Sequence, residues 1–180
     1  MKINGYVRIA AGILAVIWMF RIFSYSAAPA SVSMQTSRSV SYEIVSAVND
    51  MLNLGMDDDR VLGLSRSIEK TVRKLAHMGE FAVLGALVGC ACDAWRYRTG
   101  AGRESGHTWQ GCLRPAIAFA ICLIYAATDE FHQTFVDGRS GEVRDVLVDV
   151  SGSLIAIVLI WLIIRRISSR RLKTLQEDVS

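Results

Sequence analysis

Four stretches of this chain are apolar enough to avoid water. They run from about 6 to 25, 75 to 92, 113 to 128 and 146 to 164. Each is roughly 16–20 residues, which as helix spans about 24–30 Å, near the hydrocarbon thickness of a bilayer. They predict four transmembrane helices. None is uninterrupted: the second and fourth carry polar residues in their first turns, and Arg21 stands near the end of the first. Between the first two, residues 26–39 are rich in Ser and Ala, contain Pro29, and predict irregular chain. From Ser41, a candidate N-cap, the residues Ile44, Val45, Val48, Met51 and Leu52 form a one-sided helical stripe. Gly55 and the run Asp57–Asp59 break that helix and are suited to capping another. Val61, Leu64, Ile68, Val72 and Leu75 then continue at helical spacing into the second apolar stretch. Residues 41–74 therefore predict one or two amphipathic helices lying on the outer surface or over the bundle. The expected fold is all-α, a polytopic membrane bundle forming a single domain over residues 1–180, with a basic tail at 165–180.

Composition supports a bilayer environment. Just over half the residues are hydrophobic (52%), and the mean hydropathy is positive at +0.32. The net charge of +3 is small, and no basic face interleaved with aromatics occurs, which excludes a nucleic-acid binder. Cys90, Cys92, Cys112 and Cys122 match no zinc or redox spacing and read as small apolar residues.

The placement of Lys and Arg predicts orientation. Lys2 and Arg8 precede the clean apolar core of the first stretch, Ile9 to Phe20. Arg96, Arg98, Arg103 and Arg114 separate the second from the third, and Arg165, Arg166, Arg170, Arg171 and Lys173 follow the fourth. With four spans these regions share one side, expected to be the cytoplasm of a bacterial cytoplasmic membrane, with both termini inside. The loop between the third and fourth stretches holds only Arg139 and Arg144 among five carboxylates and is expected outside. A cleaved signal peptide is the alternative reading of the first stretch; Arg21 between its apolar core and the small residues that follow argues against it.

That topology gathers polar residues at the outer boundary. The second stretch opens with Lys74, His77 and Glu80, three residues apart and so on one helical face, which Lys70 and Arg73 share. The third ends with Asp129, Glu130, His132 and Gln133, with Tyr125 a turn below as an interfacial aromatic. Asp137-Gly138 marks a tight turn before Arg139, and Asp145 and Asp149 lie one turn apart at the start of the fourth. Ionisable groups within a membrane are costly and are functional candidates by default. The catalytic candidates are His77, Glu80, Asp129, Glu130 and His132. The substrate-binding candidates are Lys74, Gln133, Arg139, Asp145 and Asp149. No HExxH-like spacing points to a metal centre. Gly85 and Gly89, and the run Ser151-Gly152-Ser153, are small residues suited to close helix packing.

These residues resemble the VanZ-like membrane proteins, named for an accessory protein in glycopeptide (teicoplanin) resistance. The resemblance runs through FRIFSYSAAPAS at the end of the first stretch, Lys74-x-x-His77 with Glu80-Phe81 and Leu84-Gly85, and most specifically DEFHQTFVDGRSGEVRDVLVDVSGS. Asp129, Glu130, Gln133, Gly138, Arg139 and Asp145 match that last phrase. Asp149 stands where the family's pattern has Asn, and Phe81 where it has Tyr. The resemblance implies an integral protein of the cell envelope and supplies no reaction.

Two functions follow. One is a site that binds or modifies a membrane lipid or lipid-linked envelope precursor. Arg139, Lys74 and His77 would meet a phosphate while Asp129 and Glu130 position hydroxyls or amines. An enzyme on this plan would use His77 or His132 as general base. The other is a non-enzymatic membrane interaction protein whose polar cluster locks the helices, with Arg139 bridging carboxylates. Transport is weaker, since no broken-helix pair appears.

Overall fold

The computed structural model describes residues 3–95 and 108–177. Arg96, Arg98 and Arg103, on which the orientation partly rests, and the side chains of Cys112, Arg171 and Lys173 lie outside the described residues. The described chain is all helix: α1 (Gly5–Ser26), α2 (Ala30–Leu52), α3 (Asp58–Ala91), α4 (Thr108–Gln133) and α5 (Val143–Glu177). Three of them, α1, α3 and α5, are long and apolar enough to cross a membrane. The third predicted span is present as α4, yet it does not meet that standard. Arg114 and Pro115 stand at one end of its apolar run and Asp129 and Glu130 at the other.

Helix boundaries follow local chemistry. The Asn4 side chain accepts from the Tyr6 N–H to open α1. Asn53 and Gly55, both at positive φ, turn the chain after α2. Asp57 then caps α3, accepting from the Arg60 N–H at 2.9 Å, and Asp58 and Asp59 sit in the positive first turn. The acidic run acts as its spacing predicts.

Two expectations fail in the outer region. Helix α2 starts at Ala30, so most of the segment expected to be irregular is helical, and Ser41 lies buried in mid-helix instead of capping it. Ser and Thr are weak helix formers, but tertiary packing overrides that preference. Thr36, Ser37 and Ser39 donate their hydroxyls to carbonyls four residues back. Ser37, Ser41 and Val45, one turn apart, present a small face to Val61, Ser65 and Glu69 of α3. Glu69 fastens the pair, accepting from Arg38 of α2 at 2.9 Å and from Arg73 at 2.7 Å.

The helical spacing expected to run from Val61 into the second apolar stretch is realised. Helix α3 is one unbroken helix of 34 residues. If its apolar half from about 75 onward crosses a bilayer, the collinear first half cannot lie flat. It stands some 25 Å beyond the boundary at 1.5 Å per residue, with α2 antiparallel beside it.

The bundle proper is tightest between α3 and α5. A Cβ on Gly85 would lie 2.7 Å from the Ser153 Cα, and one on Gly152 would collide with the Met78 carbonyl oxygen. Ser153 Oγ donates to the Phe81 carbonyl at 2.9 Å. The second small residue of the α3 pair serves another neighbour, because Gly89 leaves room for the Trp95 ring. Phe81, Leu84, Val88, Ala118, Cys122, Ala126 and Ile157 form the core with Ile22 of α1. The remaining surface of α1, including Ile9, Ile13, Ile17 and Phe20, is exposed and apolar, the expected state of a lipid-facing helix. Cys90, Cys92 and Cys122 are free thiols.

Candidate functional site

Polar chemistry collects at both ends of the bundle. At the end holding the chain's beginning, Asp93 is fully buried and accepts from Arg114 Nη1 at 2.7 Å and from the Ile3 N–H at 3.4 Å. Arg8 Nε donates to the Ala91 carbonyl at 3.0 Å, and Trp95 Nε1 to the Ile157 carbonyl at 3.0 Å. Sequence reasoning missed Asp93 as a lock. Its signal was an acidic residue beside a span end whose next loop is strongly basic.

At the opposite end a deep network ties α1 to α4 and to the turn before α5. Asp129 is 2% exposed. Its Oδ2 accepts from Ser26 Oγ at 2.7 Å and from Gln133 Nε2 at 3.2 Å, while its Oδ1 is buried without a partner. Arg139 donates through Nη1 to Gln133 Oε1 at 3.0 Å, through Nε to the Ala28 carbonyl at 3.1 Å and through Nη2 to the Tyr25 carbonyl at 3.3 Å. The guanidinium thus caps the C-terminus of α1, taking the Ala28 carbonyl and sharing that of Tyr25, which also accepts from the Ala28 N–H. Gly138 at positive φ makes the turn that aims it. Nearby, Ala30 N–H donates to the Asp137 carbonyl at 3.2 Å, and Tyr125 donates to the Met19 carbonyl at 2.6 Å. All of Arg139's direct acceptors are neutral, and the carboxylates of Asp129 and Glu130 act on its charge without bonding to it. Burial and the neighbouring Arg73 guanidinium hold it below the usual arginine range.

Beside this network lies a half-open cavity of about 340 Å³. Lys70, Arg73, Lys74 and His77 of α3 form one wall, and Arg139 and Ser140 of the turn another. Glu130 and Gln133 of α4, and Glu142, Asp145, Val148 and Asp149 at the start of α5, close it. Lys74 pairs with Asp145 at the mouth. Glu130 Oε1 accepts from the Glu142 N–H at 2.7 Å, fixing the entry to α5. His77 Nδ1 has no partner, and the charges acting on this imidazole come from Asp129, Arg139, Asp145 and Arg73.

The structure therefore brings Lys74, His77, Glu130, Gln133, Arg139, Asp145 and Asp149 to one cavity and leaves three candidates off its wall. Asp129 lies behind it in the locking network. Glu80 turns toward α1, its carboxylate 3.6 Å from Arg21, whose guanidinium covers the Trp18 ring at 4.2 Å. His132 packs its ring on Phe23 with centroids 4.4 Å apart, and its Nε2 is unpartnered. Lys70 and Arg73 were legible as sharing the His77 face, and Glu142 was not, because its place depends on the turn. No group of three His, Cys, Asp or Glu side chains suited to a metal ion occurs among the described residues.

A chain whose described residues are all-helical, with three membrane-length helices among them and a polar cavity sunk into one end of the bundle, is a membrane protein of the helical-bundle class. The sequence profile of the VanZ/LLP1 family matches residues 11–165, and the chain belongs to that family. The matched range takes in the cavity, the network around Asp129, and Asp93 with Arg114 at the opposite end. No curated protein and no solved structure matches the chain.

Proposed function

We propose that this protein spans the bacterial cytoplasmic membrane four times as a single domain, with both termini inside. We further propose that its outward cavity binds the anionic headgroup of a lipid or lipid-linked envelope component. The observation that carries the reading is the cavity's unbalanced basic side. Arg139 is half-buried against neutral acceptors only, Lys70 has no ion-pair partner among the described residues, and Lys74 is held at the mouth by one carboxylate. A phosphate would supply an anion in direct contact with these cations.

Support for the fourth span comes from α4 itself. Its Arg114 bonds Asp93 at one end of the bundle and its Asp129 bonds Ser26 at the other, so it runs the full length between the two polar layers. Reporter fusions test this arrangement. Alkaline phosphatase joined after Gly138 is expected to be active, and fluorescence of a cytoplasmic reporter at that position would overturn it.

Binding is tested by native mass spectrometry of the purified protein with phosphatidic acid. Replacing Lys70 and Arg73 together with Gln is expected to weaken binding about tenfold or more, the scale of one or two charge-assisted hydrogen bonds. Undiminished binding would refute the site. Bound components of this kind are the route by which the protein would alter glycopeptide susceptibility; a deletion strain is expected to show a changed inhibitory concentration that wild-type protein restores and the double variant does not.

A second reading, helix locking without a ligand, is favoured for Asp129 alone. Its hydrogen bond from Ser26 ties α1 to α4, and it does not reach the cavity wall.

A further inference from the structure

The cavity has a floor of opposite character to its mouth. Helix α5 enters the bundle at Val143 and carries Asp145 at the rim, paired to Lys74. Asp149 lies one turn further in, about 6 Å deeper along the helix. It is 4% exposed, lines the cavity, and makes no hydrogen bond or ion pair among the described residues. The charges around it are carboxylates: Asp129, Glu130, Asp145 and Glu80. A polar group so buried is ordinarily hydrogen-bonded, and one left bare inside a cavity wall marks a place for a donor from elsewhere. Lys70, Arg73 and Arg139 stand at the other side of the same space. The cavity is thus dipolar, with cations on the α3 and turn side and an unpaired carboxylate at depth on α5.

A simple anion satisfies only the first half of that arrangement. We propose that the cavity takes a phosphoethanolamine unit, its phosphate against the basic mouth and its primary ammonium on Asp149, a reading that rests on the anionic-headgroup function above. The ammonium supplies up to three donors, and Asp149 accepts them at an otherwise uncompensated carboxylate. Primary amines fit this floor, whereas a quaternary ammonium, which has no N–H, does not.

The test is a titration of full-length protein in nanodiscs with phosphatidylethanolamine, phosphatidylglycerol and phosphatidylcholine, read by native mass spectrometry. Phosphatidylethanolamine is expected to bind about tenfold tighter than the other two, the worth of one charge-assisted hydrogen bond. Asp149→Asn is expected to abolish that preference. If all three lipids bind equally, the ammonium subsite is refuted and the anionic-headgroup reading stands. If none binds, the headgroup reading itself falls. Should Asp149→Asn fail to fold, the contrast between phosphatidylethanolamine and phosphatidylcholine on the unaltered protein still decides. Soluble glycerophosphoethanolamine distinguishes the source: competition with the lipid assigns the free headgroup, and no competition assigns the membrane-held one.

Discussion

Asp93 and Asp149 are both buried carboxylates, at opposite ends of one bundle, and their surroundings differ in kind. Asp93 has donors on both oxygens, one from Arg114 and one from the backbone of Ile3. Asp149 has none among the described residues and borders a cavity. Asp129 lies between these extremes, with two donors on one oxygen and none on the other. The comparison teaches that burial alone does not separate a lock from a site. Satisfaction does: a carboxylate whose acceptors are filled fixes helices, and one left open beside a space keeps its acceptors free for a donor from elsewhere.

The sharpest way to break this contrast is Asp93→Ala. It strands Arg114 without its counter-charge. Removing one member of a buried pair costs about 3–5 kcal/mol; the Arg114 side chain is 39% exposed, which points to the low end, about 2–3 kcal/mol after solvent screening. A denaturation midpoint in mixed detergent micelles checks it, and an unchanged midpoint would remove Asp93 from the locks.

Gly152→Ala comes next, because its new Cβ meets the Met78 carbonyl. Overpacking of this kind costs about 1–3 kcal/mol, whereas Gly63→Ala, which meets open space, is expected to gain up to about 1 kcal/mol as an exposed helical site. The same unfolding assay on both variants separates close helix contact from glycine loss in general.

Asp129→Asn keeps one acceptor oxygen for Ser26 and Gln133 and places an amide on the bare side. The expected loss is about 1 kcal/mol, and a loss as large as that of Asp93→Ala would make Asp129 a full lock. Asp149→Asn should move stability least, within about 0.5 kcal/mol, while removing the lipid preference described above. A midpoint shift matching that of Asp93→Ala would end the distinction between the two carboxylates.

Much of this was legible beforehand. The four apolar stretches, the turn at Asp137-Gly138, the Asp57 cap and the shared face of Lys70, Arg73, Lys74 and His77 all follow from spacing and turn chemistry. Local signals failed where partners decide conformation. The Ser-rich segment after Pro29 has no strong helical preference of its own, and it became α2 because small side chains fit against α3. Glu80 and His132 carried the right chemistry on the right helices, yet one faces Arg21 and the other Phe23. Rotation of each helix about its axis is set by packing, not by the identity of a polar residue.

What the amino-acid order determined by itself is the inventory: apolar helices of membrane length, the polar layer at one end, and the turn residues that bring Arg139 back over it. These are properties of single segments, fixed by hydrophobicity, periodicity and backbone preference. Only the tertiary structure decided which ionisable groups became neighbours and which acceptors stayed empty. Whether Asp93 finds donors, and Asp149 none, depends on what other helices contribute, and no segment carries that information alone.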